Sequence, residues 1–347
     1  MTLTRHENLL VPLGLVLLAG CASYGKPAPD PAALTPPPGG DLIGRVEIYE
    51  ATSDDTLIEL ARTHNLGYVE LAAANPDVDP WLPGAGAKLV IPQAHILPPG
   101  PREGVVINLA EQRLYFFNGS TVPVSYPIGV GREGSDTPLG TTEIVRMAEA
   151  PTWYPPASAR EEDPTLENVV PPGPDNPLGS HALYLGWPQY LVHGTNEPYG
   201  IGRRVSRGCI RLYPEDIVDL YAAVETGTAV TVIDEPIKLG TAGGELYLEA
   251  HPSLAQALQL EETGTFHAEA VPTLKERVLA AAGPAAARLD WGVIDEAVMN
   301  RAGVPVQITR TPDRPTGHGG VMDLFTSMTD EFNAVTASWF GDQEASN

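Results

Sequence analysis

The segment His193-Gly194-Thr195-Asn196 is followed, after an excursion of the chain, by Val205-Ser206-Arg207-Gly208-Cys209-Ile210-Arg211-Leu212. A histidine at a strand end and a cysteine fifteen intervening residues later come together when the chain between them loops out and returns. Imidazole within reach of a thiol takes its proton, and thiolate is the reactive form. Cys209 is the expected nucleophile and His193 the expected base. Glycine before the cysteine frees the backbone, so the amides of Gly208 and Cys209 are expected to form an oxyanion hole. Arg207 and Arg211 stand two residues either side of the thiol, where positive charge favours thiolate and receives a substrate carboxylate. No His, Cys or acidic set has metal-ligand spacing and no phosphate loop is present, so neither metal nor cofactor is expected.

These residues sit in a chain of 347 residues, long enough for two or three domains. Its formal charge of -23, from 44 acidic against 21 basic residues, repels phosphate backbones and sets nucleic acid aside as a partner. Thirty-five prolines and thirty-five glycines favour strands, turns and loops. The first twenty residues carry Arg5 and an apolar run at 9–20, which fits an export signal and is short for a membrane span. The run ends in Leu18-Ala19-Gly20-Cys21, which resembles a bacterial lipobox and implies a lipidated Cys21 at the mature N-terminus; the alternative is an ordinary signal with Cys21 incidental. A Pro-rich stretch, 21–44, then reads as a tether holding folded domains off a membrane. With Ala22 rather than aspartate after the lipobox cysteine, the expected destination is the periplasmic face of the outer membrane. Only two cysteines exist, so a lipidated Cys21 leaves Cys209 a lone thiol in an oxidising compartment, which suggests use; a buried structural cysteine is the alternative.

Residues 45–93 read as strand, helix, helix, strand. The phrases Asp55-Thr56-Leu57, Asn75-Pro76 and Leu89-Val90-Ile91-Pro92 give this βααβ unit a resemblance to the LysM module. That resemblance implies binding of N-acetylglucosamine-containing peptidoglycan strands; the alternative is a spacer without ligand. Residues 103–235 alternate as short strands, with Asn118-Gly119 signalling a hairpin and one clear helix at 214–224, and they argue for a sandwich or barrel of antiparallel sheets. Residues 246–310 mix a strand at 246–249 with helices at 273–282 and 291–299 and carry no assignable chemistry. Val321, Phe325, Met328, Phe332, Val335 and Trp339 form an apolar stripe on an amphipathic helix at 321–341, read as core packing or a partner contact.

The His-Gly to Ser-Arg-Gly-Cys-Ile-Arg frame resembles the L,D-transpeptidase catalytic domain of the YkuD type. Gly129-Val130-Gly131, Thr137-Pro138-Leu139-Gly140, Pro151-Thr152-Trp153 and Asn176-Pro177-Leu178-Gly179 extend the likeness. One departure is Arg207, where many relatives have histidine. The resemblance implies a mainly β protein: a β-sandwich catalytic domain, preceded by the LysM-like domain and followed by an α+β extension. It also implies that Cys209 is nucleophile and His193 base, with Ser206, Arg207 and Gly208 in the motif and Gly194, Thr195, Asn196 and Arg211 on the substrate. The implied reaction joins a tetrapeptide stem to an amine through a Cys209 thioester, giving 3-3 cross-links. A lysine of an outer-membrane lipoprotein or water are the other acceptors left open, and a non-catalytic glycan-binding lipoprotein is the non-enzyme alternative. Sortase-like enzymes place the histidine much farther upstream, and NlpC/P60 peptidases place cysteine before histidine, opposite to this chain.

Overall fold

The structure is a computed structural model that describes residues 40–119 and 123–310. Cys21 with its lipobox, most of the Pro-rich stretch and the stripe at 321–341 lie outside the described residues. No described helix is long and apolar enough to cross a membrane.

The N-terminal unit comprises β1 (Leu42–Ile43), β2 (Val46–Glu50), α1 (Leu57–Thr63), α2 (Tyr68–Ala74), β3 (Lys88–Pro92) and β4 (His95–Ile96). Thr56 starts α1 because its extended backbone lets the hydroxyl accept the Glu59 amide. β2 and β3 pair antiparallel, and the two helices close over them around Leu57, Leu60, Leu66, Leu71, Leu89 and Ile91.

The middle unit contains β5 (Gly104–Asn108), β6 (Arg113–Phe117), β7 (Val124–Pro127), β8 (Val130–Gly131), β9 (Gly140–Glu149), α3 (Ala157–Glu162), β10 (His181–Leu185), β11 (Leu191–His193), β12 (Arg204–Ser206), β13 (Ile210–Arg211), α4 (Pro214–Ala223) and β14 (Ala229–Ile233). Eight of these strands form one sheet in the order β13-β11-β10-β9-β14-β5-β6-β7. Two pairs in it, β11 with β13 and β14 with β5, run parallel. The expected sandwich or barrel of antiparallel sheets is therefore corrected to one mixed sheet of eight strands, with β8 and β12 forming a separate parallel pair. Parallel neighbours need a long connection, and the excursion at 194–209 is one: it brings the chain back beside β11 in the same direction.

The sheet curls until its ends meet. Leu114, Phe116 and Tyr126 from one end share a core with Val192 and Ile210 from the other. Gly129, just past β7, exchanges two backbone hydrogen bonds of 2.9 Å with Arg211 of β13. Closure thus lands two residues from Cys209. Helix α4 opens with Pro214, Glu215 and Asp216, all suited to a helix N-terminus, and buries Ile217 and Leu220 in the same core. β5 is buried on both faces, since Val105 and Ile107 enter that core while Val106 packs with Tyr115, Phe117, Leu97 and Ile43.

The C-terminal unit has β15 (Ile237–Ala242), β16 (Glu245–Ala250), α5 (Leu254–Thr263), α6 (Leu274–Ala282), α7 (Trp291–Asn300) and β17 (Val306–Gln307). Its three strands pair antiparallel, and α6 and α7 cover them around Leu248, Val278, Ile294, Val298 and Ile308. Helix α5 turns away from this core. Its Ala257 and Leu260 pack instead on Ile58, Tyr68, Val69 and Ala73 of the N-terminal unit.

Candidate active site

In the parallel pair of β11 and β13, Val192 stands opposite Ile210 and His193 opposite Arg211. Side chains alternate across a strand. Since Val192 and Ile210 both enter the core, Leu191, His193, Cys209 and Arg211 share the other face. Cys209, just before β13, is two residues from Arg211, the partner of His193, and so stands diagonal to His193. The excursion returns the chain parallel to β11 rather than by a hairpin, which puts Cys209 and His193 on one face.

His193 Nδ1 lies 2.6 Å from the Gly194 carbonyl. A carbonyl only accepts, so Nδ1 carries the proton and Nε2 keeps a lone pair. Burial pushes the His193 pKa down to about 3, with the Arg211 charge adding to the shift and the Gly194 contact opposing it. Burial likewise pushes the Cys209 thiol up, outweighing the Leu191 amide and the Arg211 charge, which favour thiolate. The sulfur sits 3.5 Å from the Gln189 carbonyl, which accepts the S–H. At rest the thiol and the imidazole on this face are both neutral. Flanking arginines were expected to hold a thiolate; in the folded chain desolvation wins.

Ser206 organises the turn that carries the sulfur. Its hydroxyl donates to the Cys209 carbonyl at 2.6 Å and accepts the Gly208 amide at 3.1 Å. Of the two amides expected to face a substrate oxygen, that of Gly208 is thus already engaged. Gly208 has φ +99°, and a Cβ there would meet the Tyr190 ring at 2.8 Å, so glycine is required twice over. Thr137 holds the same turn from behind, its Oγ1 donating to the Gly208 carbonyl at 2.8 Å.

The two arginines separate. Arg207 is exposed and donates to Glu162 of α3 at 2.7 Å, a carboxylate it shares with Arg132. Arg211 stays on the thiol's face, its side chain only 17% exposed, with Nη1 3.6 Å from Glu197 and Nε without a hydrogen-bond partner among the described residues. Gly194 packs under Ile217, Thr195 Oγ1 accepts the Glu197 amide at 2.9 Å, and Asn196 Nδ2 donates to the Asp175 carbonyl at 3.3 Å. Thr195 and Asn196 thereby shape the loop leaving β11.

A second set of ionisable groups was not legible in the sequence. His95, Glu111 and Glu249 place donor atoms within 4.8 Å of one another, all buried. Lys238 Nζ lies among them, 2.7 Å from Glu111 and 3.0 Å from Glu249. The lysine supplies the charge a cation would bring, so this donor set does not fit a metal.

The family model for YkuD, the L,D-transpeptidase catalytic domain, matches residues 102–232. Over 283 residues the chain is 41% identical to Probable L,D-transpeptidase YbiS of Escherichia coli K12, covering 79% of this chain and 90% of that one. Over 316 residues it is 38% identical to Probable L,D-transpeptidase ErfK/SrfK of the same organism, covering 88% of this chain and 97% of that one.

Proposed function

Because the chain belongs to the L,D-transpeptidase family, we propose that it acylates Cys209 with a peptidoglycan tetrapeptide stem and passes the acyl group to an amine of a second stem, giving 3-3 cross-links. The observation that carries this reading is the common face shared by His193 of β11, Arg211 of β13 and Cys209 just before it. His193 Nε2 takes the thiol proton as sulfur attacks the carbonyl of the third stem residue, a diamino acid, since a neutral thiol must lose its proton as the C–S bond forms. The Cys209 amide holds the oxyanion, and the turn held by Ser206 keeps it in place. Imidazolium then returns the proton to the departing D-alanine amine as the C–N bond breaks. In the second half His193 deprotonates the acceptor amine, which attacks the thioester and releases the thiolate to be reprotonated. Arg211 receives a stem carboxylate, and the N-terminal βααβ unit holds the glycan strand as a LysM-like module. Lipidated Cys21 tethers the enzyme in the periplasm, at the outer membrane.

Incubated with disaccharide-tetrapeptide, the protein should release D-alanine and form 3-3 dimers, while Cys209→Ala does neither at an unchanged melting temperature. Cross-linking by that variant would overturn the cysteine mechanism. Mass spectrometry of the products assigns the acceptor: a lysine-bearing peptide used in preference to a stem would make it a lipoprotein, and D-alanine release alone would make it water.

A further inference from the structure

The excursion between His193 and Cys209 touches both neighbouring units. At its middle, the amides of Tyr68 and Val69, at the start of α2, donate to the carbonyls of Ile201 and Gly202 at 3.4 and 3.1 Å. Next along the chain, Arg203 lies over the Tyr68 ring at 4.0 Å, with its guanidinium 3.9 Å from Glu261 of α5. Glu261 Oε1 also accepts the Arg204 amide at 3.4 Å. The Arg204 guanidinium, only 7% exposed, then makes three contacts: the Gly131 carbonyl at 3.2 Å, the Leu254 carbonyl in the first turn of α5 at 3.3 Å, and Asp136 at 3.2 Å.

Those partners back the nucleophile's turn. A Cβ on Gly208 would lie 3.3 and 3.4 Å from the carbonyls of Ser135 and Asp136, and a Cβ on Gly131 would lie 3.1 Å from the Gly208 Cα. The Arg132 amide donates to the Ser206 carbonyl at 2.9 Å. Arg204 therefore joins α5 to the wall against which Gly208 rests, next to Cys209, and a planar fork with several fixed donors suits that task better than an ammonium.

We propose that α5 of the C-terminal unit is part of the scaffold that positions the nucleophile: through Glu261 and the Leu254 carbonyl it fixes Arg203 and Arg204, and so the turn that presents Cys209. Arg204 and Glu261 are positioning residues, and the proposal rests on the transpeptidase reading above. It gives the C-terminal unit a role in the reaction rather than only in folding.

The test uses the full chain and reads kcat and KM for tetrapeptide together with the pH profile of Cys209 alkylation by iodoacetamide. Glu261→Ala and Arg204→Ala should lower kcat roughly ten- to a hundredfold with KM little changed, as expected for a small misplacement of a reacting group, and should displace the alkylation profile well below the melting temperature. Glu261→Gln, which still accepts the Arg204 amide, should restore most of kcat, and Glu262→Ala on the exposed neighbour should leave everything unchanged. Normal kcat and an unshifted alkylation profile in a folded Glu261→Ala protein would overturn the proposal, as would losses accounted for entirely by the unfolded fraction. Should Arg204→Ala not fold, Arg204→Lys and Glu261→Ala carry the test. If the parent chain transfers no stem at all, the transpeptidase reading fails, and the alkylation profiles still decide whether α5 positions the thiol.

Discussion

His193 has a folded pKa of about 3 against an ordinary 6.5, so the unfolded chain binds a proton that the folded chain refuses throughout the interval between those values. Stability supplied by this group is complete above pH 6.5 and is lost as pH falls toward 3. At pH 4.5 the loss should be about 2–3 kcal/mol relative to pH 7. His193→Gln should remove that share of the slope, which denaturant titrations of both proteins at the two pH values would measure; equal slopes would place the proton elsewhere. Arg211 offers a second residue-level test. Its Nε has no partner among the described residues and its Glu197 contact is loose at 3.6 Å, so it is not spent on the start of α4, where Glu215 is held by Arg62 instead. Arg211→Lys should lower kcat/KM for the donor stem roughly thirty- to a hundredfold while iodoacetamide still reaches Cys209 at a near-normal rate. A parallel decline of both would make Arg211 an organiser of the site. Around the thiol, the sequence supplied the residue types and their spacing. It could not say which arginine faces the sulfur, because Arg207 is drawn to Glu162, 45 positions away in the chain.

Strand identity was legible where a short apolar run or clear alternation stood between turn signals, as in β6 and β14, but neither pattern carries direction. That is why the parallel pairs of β11 with β13 and β14 with β5 escaped a reading built on hairpins. Helix α5 was missed although Ser253 and Gln256 form a capping box, a signal present in the chain. Strand β15 hides because its alternation is interrupted by Lys238, whose burial depends on distant carboxylates, and by Gly240. Docking of α2 on the excursion depends on a close approach that only glycine allows. Gly202 has φ +73°, and a Cβ there would fall 2.2 Å from the Gly67 Cα and 2.1 Å from the Tyr68 nitrogen. Gly227, with φ +94°, has open space around the same position. Gly227→Ala should therefore cost only the dihedral penalty, about 1–2 kcal/mol. Gly202→Ala should cost at least about 2 kcal/mol more, because the backbones must separate. Equal melting shifts for the two variants would mean that α2 yields without loss.

The three units are held together by charge placed where water does not reach. Glu70 and His95 come from the N-terminal unit, Glu111, Arg113 and Tyr115 from the middle unit, and Lys238, Glu249 and His251 from the C-terminal unit, all of them buried in the structure. Lys238 donates to Glu111 and to the Ile96 carbonyl, both at 2.7 Å, so one ammonium touches all three units. The partners are 127 and 142 positions away, a separation at which no local pattern signals a contact. Burial alone would raise the pKa of Glu111 and Glu249, yet both are held below the ordinary carboxylate value, chiefly by Lys238. Lys238→Met keeps the stem's volume and removes the charge, leaving two carboxylates facing each other in the interior. Removing one partner of a buried pair costs about 3–5 kcal/mol, and here the loss should shift the unfolding of all three units together. The pH dependence fixes the cause. With lysine present, the depressed carboxylates supply stability above their ordinary range, and it is lost as pH falls. Without it their folded pKa values rise above the unfolded ones, so the contribution of this carboxylate pair is most favourable at low pH and is lost as pH climbs. The gap between parent and variant should therefore be widest near pH 7 and narrow toward pH 4, and Glu111→Gln added to Lys238→Met should recover part of it. A gap below about 1 kcal/mol that stays flat with pH would show that the cluster is neutralised by some group other than Lys238.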